Sequence, residues 1–287
     1  MAKGVLIPIG GNENKGADPS IHDDLVFVQQ GILAHVVKES GGKDAAILVI
    51  TSASSIPEEV SKNYLDAFGK LNCSNISCLH IASQNEANQE NVVKQFRDCD
   101  AVLFSGGDQS KIAKFISGTK THEVLAERYA QESTFVIAGT SAGAMAMSTE
   151  MIAGGSSTEA FQKGAVRMRN GLGLLPDVMF DTHFIQRGRF GRVSEAVAKF
   201  PKLVGIGLAE DTGLIIRDGN EMKVIGSGMA IIFDGCELEH NNEKILDEGS
   251  PLTLVNMKVH VLSISDKYYI QERKVVVHPI GVPFDQL

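Results

Sequence analysis

Residues 135–148 read FVIAGTSAGAMAMS. Four apolar residues suited to a buried strand run into Gly139-Thr140-Ser141-Ala142-Gly143, and a small-residue stretch that would be comfortable as a helix follows. Two readings of this strand-to-helix turn are open. The glycines serve only a tight turn, or they leave room for Ser141 to be held out at the sheet edge for chemistry. In the second reading, the N–H groups and positive dipole end of the following helix point at the same spot.

Working outward, strand-like runs fall at 4–9, 45–51, 76–81, 101–105 and 135–138, and helical stretches at 22–40, 57–70, 86–96 and 110–130. Fully apolar strands alternating with helices predict a parallel sheet covered on both faces. Right-handed crossovers make it doubly wound. From about residue 203 the pattern changes to short β segments. Asp218-Gly219 and Asp234-Gly235 read as hairpin dipeptides, since glycine tolerates the positive φ of such turns. The expectation is an α/β fold: a doubly wound, mainly parallel sheet sandwiched by helices, with an antiparallel extension of the same sheet in the C-terminal third. Without repeats, low-complexity tracts or Pro/Ser-rich linkers, residues 1–287 read as one domain.

With 43% hydrophobic and 22% charged residues, the 287-residue chain can bury a sizeable core. Its net charge of −8 argues against a nucleic-acid binder, which needs clustered Lys and Arg. No apolar run is long enough to cross a bilayer, and MAKGVLIPIGG lacks a leader-like apolar region with a cleavage site. Cys73, Cys78, Cys99 and Cys236 are scattered and read as reduced thiols, which points to the cytoplasm. The chain has no H-E-x-x-H cluster, and GGNENKG lacks the G-x-G-x-x-G spacing, so neither metal nor nucleotide cofactor is expected.

In an open parallel sheet, ligands sit at the carboxyl ends of the strands. Gly10-Gly11-Asn12, Gly106-Gly107-Asp108-Gln109 and the Ser141 turn gather there. A serine hydroxyl is a weak nucleophile and needs a base in hydrogen-bond reach. Of eight histidines, His22, His35, His80, His122, His240, His260 and His278 occupy ordinary positions and read as solvated or structural. His183 differs. It ends an apolar run in PDVMFDTHFIQRGRFGR that would reach the same sheet edge, with Asp181 before it and Arg187, Arg189 and Arg192 after. That concentration is either a basic helix face paired with surface carboxylates or an anion-binding floor beside the base. A third group should orient the imidazole; Glu210 in VGIGLAEDTG is the candidate, with the adjacent Asp211 an open alternative. The order Ser–His–acid differs from that of α/β-hydrolases.

Five segments in order, IGGNENKG, FSGGDQSKI, GTSAGAMAMS, GLGLLPDVMFDTHFIQRGRFGR and GIGLAEDTG, make the chain resemble the serine peptidases of the cyanophycinase and peptidase E family. That family's fold is related to class I glutamine amidotransferases. HFIQRGRFGR and the chain length resemble cyanophycinase more than the shorter peptidase E. The resemblance implies a cytoplasmic, homodimeric serine exopeptidase that hydrolyses β-aspartyl linkages and releases β-Asp-Arg dipeptides from cyanophycin, a poly-aspartate carrying arginine on each β-carboxyl. It implies Ser141 as nucleophile, His183 as general base, Glu210 as orienting acid, and an oxyanion hole from Ala142 and a glycine of Gly106-Gly107, assigned to Gly107. It also implies that Gln109, Arg189 and Arg192 hold the aspartyl part of the substrate, with Asp108 and Asp181 in the same subsite.

Thr182 stands where the family pattern has glutamine, Ala209 where an acidic residue is usual, and Met145 where a small polar residue is common. These departures bear on substrate choice and keep two alternatives open: an isoaspartyl dipeptidase acting on β-Asp-X, and a peptidase E-like α-aspartyl dipeptidase. A non-enzymatic relative is the reading from a different class. The polar, glycine-rich loops 12–20 and 154–170 are expected to gate access.

Overall fold

The apolar runs quoted above become short strands because each alternates with a helix that covers one sheet face. In the computed structural model, which describes residues 2–16, 27–156 and 159–282, the first half is built from β1 (Val5–Ile9), α1 (Phe27–Gln30), α2 (Ile32–Glu39), β2 (Ile47–Ile50), α3 (Pro57–Lys70), β3 (Ile76–Leu79), α4 (Gln84–Ala87), α5 (Glu90–Asp98), β4 (Ala101–Phe104), α6 (Gln109–Ile116), α7 (Lys120–Gln131), β5 (Val136–Thr140) and α8 (Ala142–Met145). A hairpin follows, β6 (Glu150–Gly155) with β7 (Val166–Asn170), then β8 (Val178–Asp181), α9 (Phe190–Lys199), β9 (Val204–Leu208), β10 (Thr212–Arg217), β11 (Glu221–Gly226) and β12 (Ala230–Asp234). The chain ends with β13 (His240–Asn241), β14 (Leu254–Val255), β15 (Lys258–Leu262), β16 (Lys267–Tyr269) and β17 (Lys274–Val276).

Nine of these strands form one sheet in the order β17-β16-β11-β10-β1-β5-β4-β2-β3. The strands β1, β5, β4, β2 and β3 are parallel to one another, with Val5 opposite Val136 and Ala101 opposite Val136 on the other side. Every residue of β1, β2, β4 and β5 is buried, as a strand covered on both faces requires. β10, β11, β16 and β17 add the antiparallel wing. Its β10–β11 turn is the Asp218-Gly219 dipeptide, with φ of 54° and 60° and Asn220 N–H donating to the Arg217 carbonyl at 3.0 Å.

The rest of the C-terminal third departs from the expectation of a single sheet. β8, β9, β12 and β15 make a separate four-stranded sheet in the order β15-β12-β9-β8. β8 and β9 are parallel, joined by α9, so Val178 to Asp181 pair with Val204 to Gly207 rather than with the large sheet. His183 therefore approaches Ser141 from the end of a second sheet. Asp234-Gly235 is not a two-residue hairpin either: β12 pairs with β9 and with β15, Asp234 opposite Lys258, after an excursion that carries β13 and β14. A single apolar cluster joins the two sheets, holding Leu6, Phe104 and Ile137 of the first with Phe180, Ile206 and Ile232 of the second. The opposite face of the large sheet packs Ile7, Val49 and Leu103 against Leu33 and Phe68 of α2 and α3.

The expected helix 57–70 is α3 in full, whereas the other helical stretches are divided. The stretch 110–130 breaks at Gly118, φ +73°, and Thr119 caps α7 by accepting from the His122 N–H. The stretch 86–96 is divided into α4, capped by Ser83, and α5. In 22–40, Gly31 separates α1 from α2, and residues 22–26, His22 among them, lie outside the described residues. The segment 154–170 is largely the β6–β7 hairpin, anchored where Gly164 N–H donates to Glu195 Oε1 at 2.7 Å. Residues 157–158 of it, like 17–20 of the first loop, lie outside the described residues.

Phe184 joins the second sheet to the turn that carries His183. It is fully buried, sits 4.7 Å from the Phe190 ring and 5.7 Å from Phe233, and fills the space over Gly207, where a Cβ would fall 2.4 Å from its ring. Phe184→Ala is expected to lower unfolding stability by about 3–5 kcal/mol, the range for an unfilled buried Phe site, read from urea unfolding.

Candidate active site

Gly139 and Gly143 face each other across the turn that ends β5. A Cβ on Gly139 would lie 2.6 Å from the Gly143 carbonyl carbon, and one on Gly143 would lie 2.3 Å from the Phe104 carbonyl oxygen. Only hydrogen fits at either place. Between them Ser141 takes φ 50°, ψ −108°, a positive-φ backbone rare outside glycine, and lines a cleft of about 360 Å³. Such outliers store about 1–3 kcal/mol each and persist only where the surroundings over-determine them. Three more non-glycine outliers converge here: Asn12, His183 and Asp211, with φ of 47°, 48° and 47°.

The loop after β1 holds them. The carbonyls of Ile9, Gly10 and Gly11 accept, in order, the N–H of Ser141 at 2.8 Å, of His183 at 2.8 Å and of Asp211 at 2.9 Å. The two glycines allow this close approach. A Cβ on Gly10 would be 1.9 Å from the Ala209 carbonyl oxygen, and one on Gly11 would be 2.4 Å from His183 Cε1.

Side chains complete the contact. Ser141 Oγ–H donates to His183 Nε2 at 2.9 Å, and His183 Nδ1–H donates to Glu210 Oε1 at 2.6 Å, which sets the imidazole tautomer. Burial alone would raise the Glu210 carboxyl, but hydrogen bonds from Asn12 and His183, with the charges of His183 and Arg187, outweigh it and hold the group below its ordinary value of 4.5. Asp211 is engaged elsewhere: its Oδ1 accepts from Asn14 N–H at 2.9 Å and its Oδ2 from Ser227 Oγ–H at 2.6 Å. Of the two candidate acids, Glu210 is the one bonded to His183. The other described histidines stand apart, His122 for example bonding the Leu172 carbonyl at 2.8 Å.

Gly106 and Gly107 line the cleft beside Ser141, and a Cβ on Gly106 would lie 3.5 Å from that of Ser141. Ala142 is buried at the first position of α8. Gln109 is turned toward β6, its Nε2–H donating to the Ile152 carbonyl at 2.9 Å. Asp108 is the cap of α6, its Oδ1 accepting from Ser110 N–H at 2.8 Å, so its carboxylate serves the helix.

The arginine cluster is arranged differently from either sequence reading. Asp181 is fully buried and accepts from Thr182 N–H at 2.8 Å, Arg189 Nη1 at 3.1 Å and Arg192 Nε at 2.6 Å, with Arg192 Nη2 bonded to its Oδ1 as well. Arg192 is 6% exposed and its guanidinium faces Asp181 rather than the cleft. Arg189 also donates to the Thr182 carbonyl at 2.7 Å. A buried carboxylate needs such partners to offset its lost hydration, so Asp181, Arg189 and Arg192 brace the segment that bears His183. In this packing the guanidinium groups of Arg189 and Arg192 are bonded to Asp181, and among the described residues the arginine lining the cleft is Arg187.

Sequence reasoning passed over two further lining residues, Glu13 and Lys15. Glu13 Oε1 accepts from Tyr64 Oη–H at 2.6 Å and Lys15 Nζ at 2.8 Å, and its Oε2 accepts from Thr140 Oγ1–H at 2.6 Å. Burial would push this carboxyl up, but the charge of Lys15 and the three hydrogen bonds win, and it titrates below its ordinary value. Two charged residues in a glycine-rich loop at a strand end were the available signal.

Residues 28–224 match peptidase family S51. The chain is similar to a cyanophycinase from Nostoc sp., 34% identical over 281 residues that cover 97% of this chain and 90% of the relative. A cyanophycinase from Trichormus variabilis matches with the same identity and coverage. The fold is shared with a crystal structure of a peptidase from an acI-B1 Actinobacterium, with a TM-score of 0.65 and 18% identity over 93% of this chain and 97% of that one.

Replacing Asp181 by Asn is expected to destabilise the protein by about 3–5 kcal/mol, because the buried Arg192 and the partly buried Arg189 lose their counter-charge. Urea unfolding of the variant beside wild type measures it.

Proposed function

This chain belongs to peptidase family S51, and from that premise we propose that it is a serine exopeptidase acting on β-linked aspartyl peptides, with cyanophycin as its substrate. The observation that carries the reading is the unbroken hydrogen-bond chain from Ser141 through His183 to Glu210. Similarity to two cyanophycinases along nearly the whole chain supports the substrate class.

In this reading His183 Nε2 takes the Ser141 proton as Oγ attacks the backbone α-carbonyl carbon of an aspartyl residue that keeps its arginine on the β-carboxyl. Glu210 stays ionised and stabilises the imidazolium; its lowered titration keeps it charged through neutral pH. The N–H groups of Ala142 and Gly107 receive the oxyanion, one such donor being worth about 3–4 kcal/mol. The carbon–nitrogen bond then breaks, the imidazolium protonates the leaving amine, and an aspartyl ester remains on Ser141. Water, deprotonated by His183, attacks the ester and frees the aspartyl carboxyl group and the serine. Gln109 belongs to the aspartyl subsite in this reading. The enzyme works in the cytoplasm, where its four free cysteines stay reduced, as a single α/β domain and a homodimer, the assembly that the family resemblance implies. Among the described residues no helix is long and apolar enough to cross a membrane.

Two outcomes are expected. Wild type releases β-Asp-Arg from purified cyanophycin and Ser141→Ala releases none above background; cleavage of β-Asp-Leu but not of polymer would instead make the enzyme an isoaspartyl dipeptidase. Gly11→Ala drives a methyl group into the His183 ring and is expected to lower kcat by about 100-fold, as ångström-scale misplacement of a base does, with the unfolding midpoint read alongside to separate misplacement from unfolding.

A further inference from the structure

A serine at positive φ relaxes unless its neighbours are fixed. Ser141 takes φ 50°; its N–H donates to the Ile9 carbonyl at 2.8 Å, and its own carbonyl accepts from Met145 N–H at 3.1 Å. These bonds tie it to β1 on one side and to the turn of α8 on the other. The peptide group that enters Ser141 comes from Thr140, the last residue of β5. Thr140 is buried, and its hydroxyl donates to Glu13 Oε2 at 2.6 Å.

Glu13 is a junction of three elements. Its side chain, 1% exposed, accepts Lys15 Nζ of its own loop at 2.8 Å and Tyr64 Oη–H of the cleft wall α3 at 2.6 Å, both on Oε1. Oε2 is turned to the end of β5, where it takes the Thr140 hydroxyl. A buried ion pair is a poor device for stability alone; here one of its oxygens holds the residue before the nucleophile. Burial alone would push the carboxyl toward its neutral form, and the charge of Lys15 with the three hydrogen bonds keeps it ionised. Both oxygens are then acceptors, as three donors on one carboxylate require. The preceding side chain reaches the other end of the catalytic chain: Asn12, at φ 47°, is hydrogen-bonded to Glu210. Consecutive residues of one loop thus grip the residue before Ser141 and the acid behind His183.

We propose that Glu13 is a positioning residue for the nucleophile, accepting the Thr140 hydroxyl so that Ser141 Oγ stays aligned on His183 Nε2. The inference rests on the serine peptidase reading and deepens it. Glu13 acts through Thr140 and touches no reacting atom.

The test is a double-mutant cycle on the release of β-Asp-Arg from cyanophycin, with β-Asp-Leu as a second substrate. It compares wild type, Thr140→Val, Glu13→Gln and the double variant, with the unfolding midpoint read for each. Thr140→Val keeps the branched side chain and removes the donor. It is expected to lower kcat about 100-fold, as ångström-scale misplacement does, with KM little changed, the pattern of an interaction realised in the transition state. Glu13→Gln offers one acceptor oxygen to three donors and is expected to lower kcat as much. The double variant is expected to lose no more than the worse single variant, because both changes break one link. Wild-type kcat in folded Thr140→Val overturns the assignment, as do losses that multiply in the double variant; either result leaves the peptidase reading intact. Thr140→Val alone decides if Glu13→Gln does not fold. Failure of wild type to cleave cyanophycin and β-Asp-Leu alike overturns the peptidase reading, and the Glu13 assignment with it.

Discussion

Three consecutive carbonyls, of Ile9, Gly10 and Gly11, accept the N–H groups of Ser141, His183 and Asp211. Those three N–H groups come from the end of β5, the end of β8 and the turn between β9 and β10. One is in the large sheet, one ends the small sheet, and one lies on the link between them. The loop after β1 is thus the splice at which two sheets meet, and the distances among Ser141, His183 and Glu210 follow from it. Each of these turns contains a positive-φ non-glycine residue, a conformation that would relax without a fixed partner. Gly10 and Gly11 are the condition for the splice, since a side chain on either would occupy the space of Ala209 or of the imidazole.

The charged groups around this splice divide into two kinds. Asp181, fully buried, is bonded to Arg189 and Arg192, and the cluster fixes the segment behind His183. Glu13 with Lys15 lines the cleft, as does His183, the partner of Glu210. The Glu13 and Glu210 carboxylates titrate below their ordinary value despite burial, so each remains a fixed negative charge at neutral pH. One orients a base and the other a cation.

The parallel half of the large sheet was legible because β1, β2, β4 and β5 are apolar on both faces, and a run such as AVLF has few other uses. The elbow was legible because Gly139 and Gly143 fall on either side of Ser141 at a strand-to-helix step. The second sheet was not. VMFD and VGIGL look like any buried strands, and which strands pair is decided by α9 packing between them and by Phe184 filling the space over Gly207, neither of which has a local signature. The break at Gly118 did have a local signature, Ser117-Gly118-Thr119, a glycine followed by a capping threonine. Arginine spacing records that charge is concentrated but not which way it faces: Arg187 and Arg192 are alike in sequence, yet one lines the cleft and the other is bonded to a buried aspartate. Glu13 was missed because its partners Tyr64 and Thr140 are distant in the chain.

The central claim is that Ser141 carries the acyl group during turnover. Rapid acid quenching of wild type with excess β-aspartyl peptide, followed by proteolysis and mass spectrometry, reads it directly. The account predicts an aspartyl ester on the peptide containing Ser141, absent when His183 is replaced by Ala. Turnover with the acyl group found on another residue, or with no acyl-enzyme formed at any time point, would contradict it.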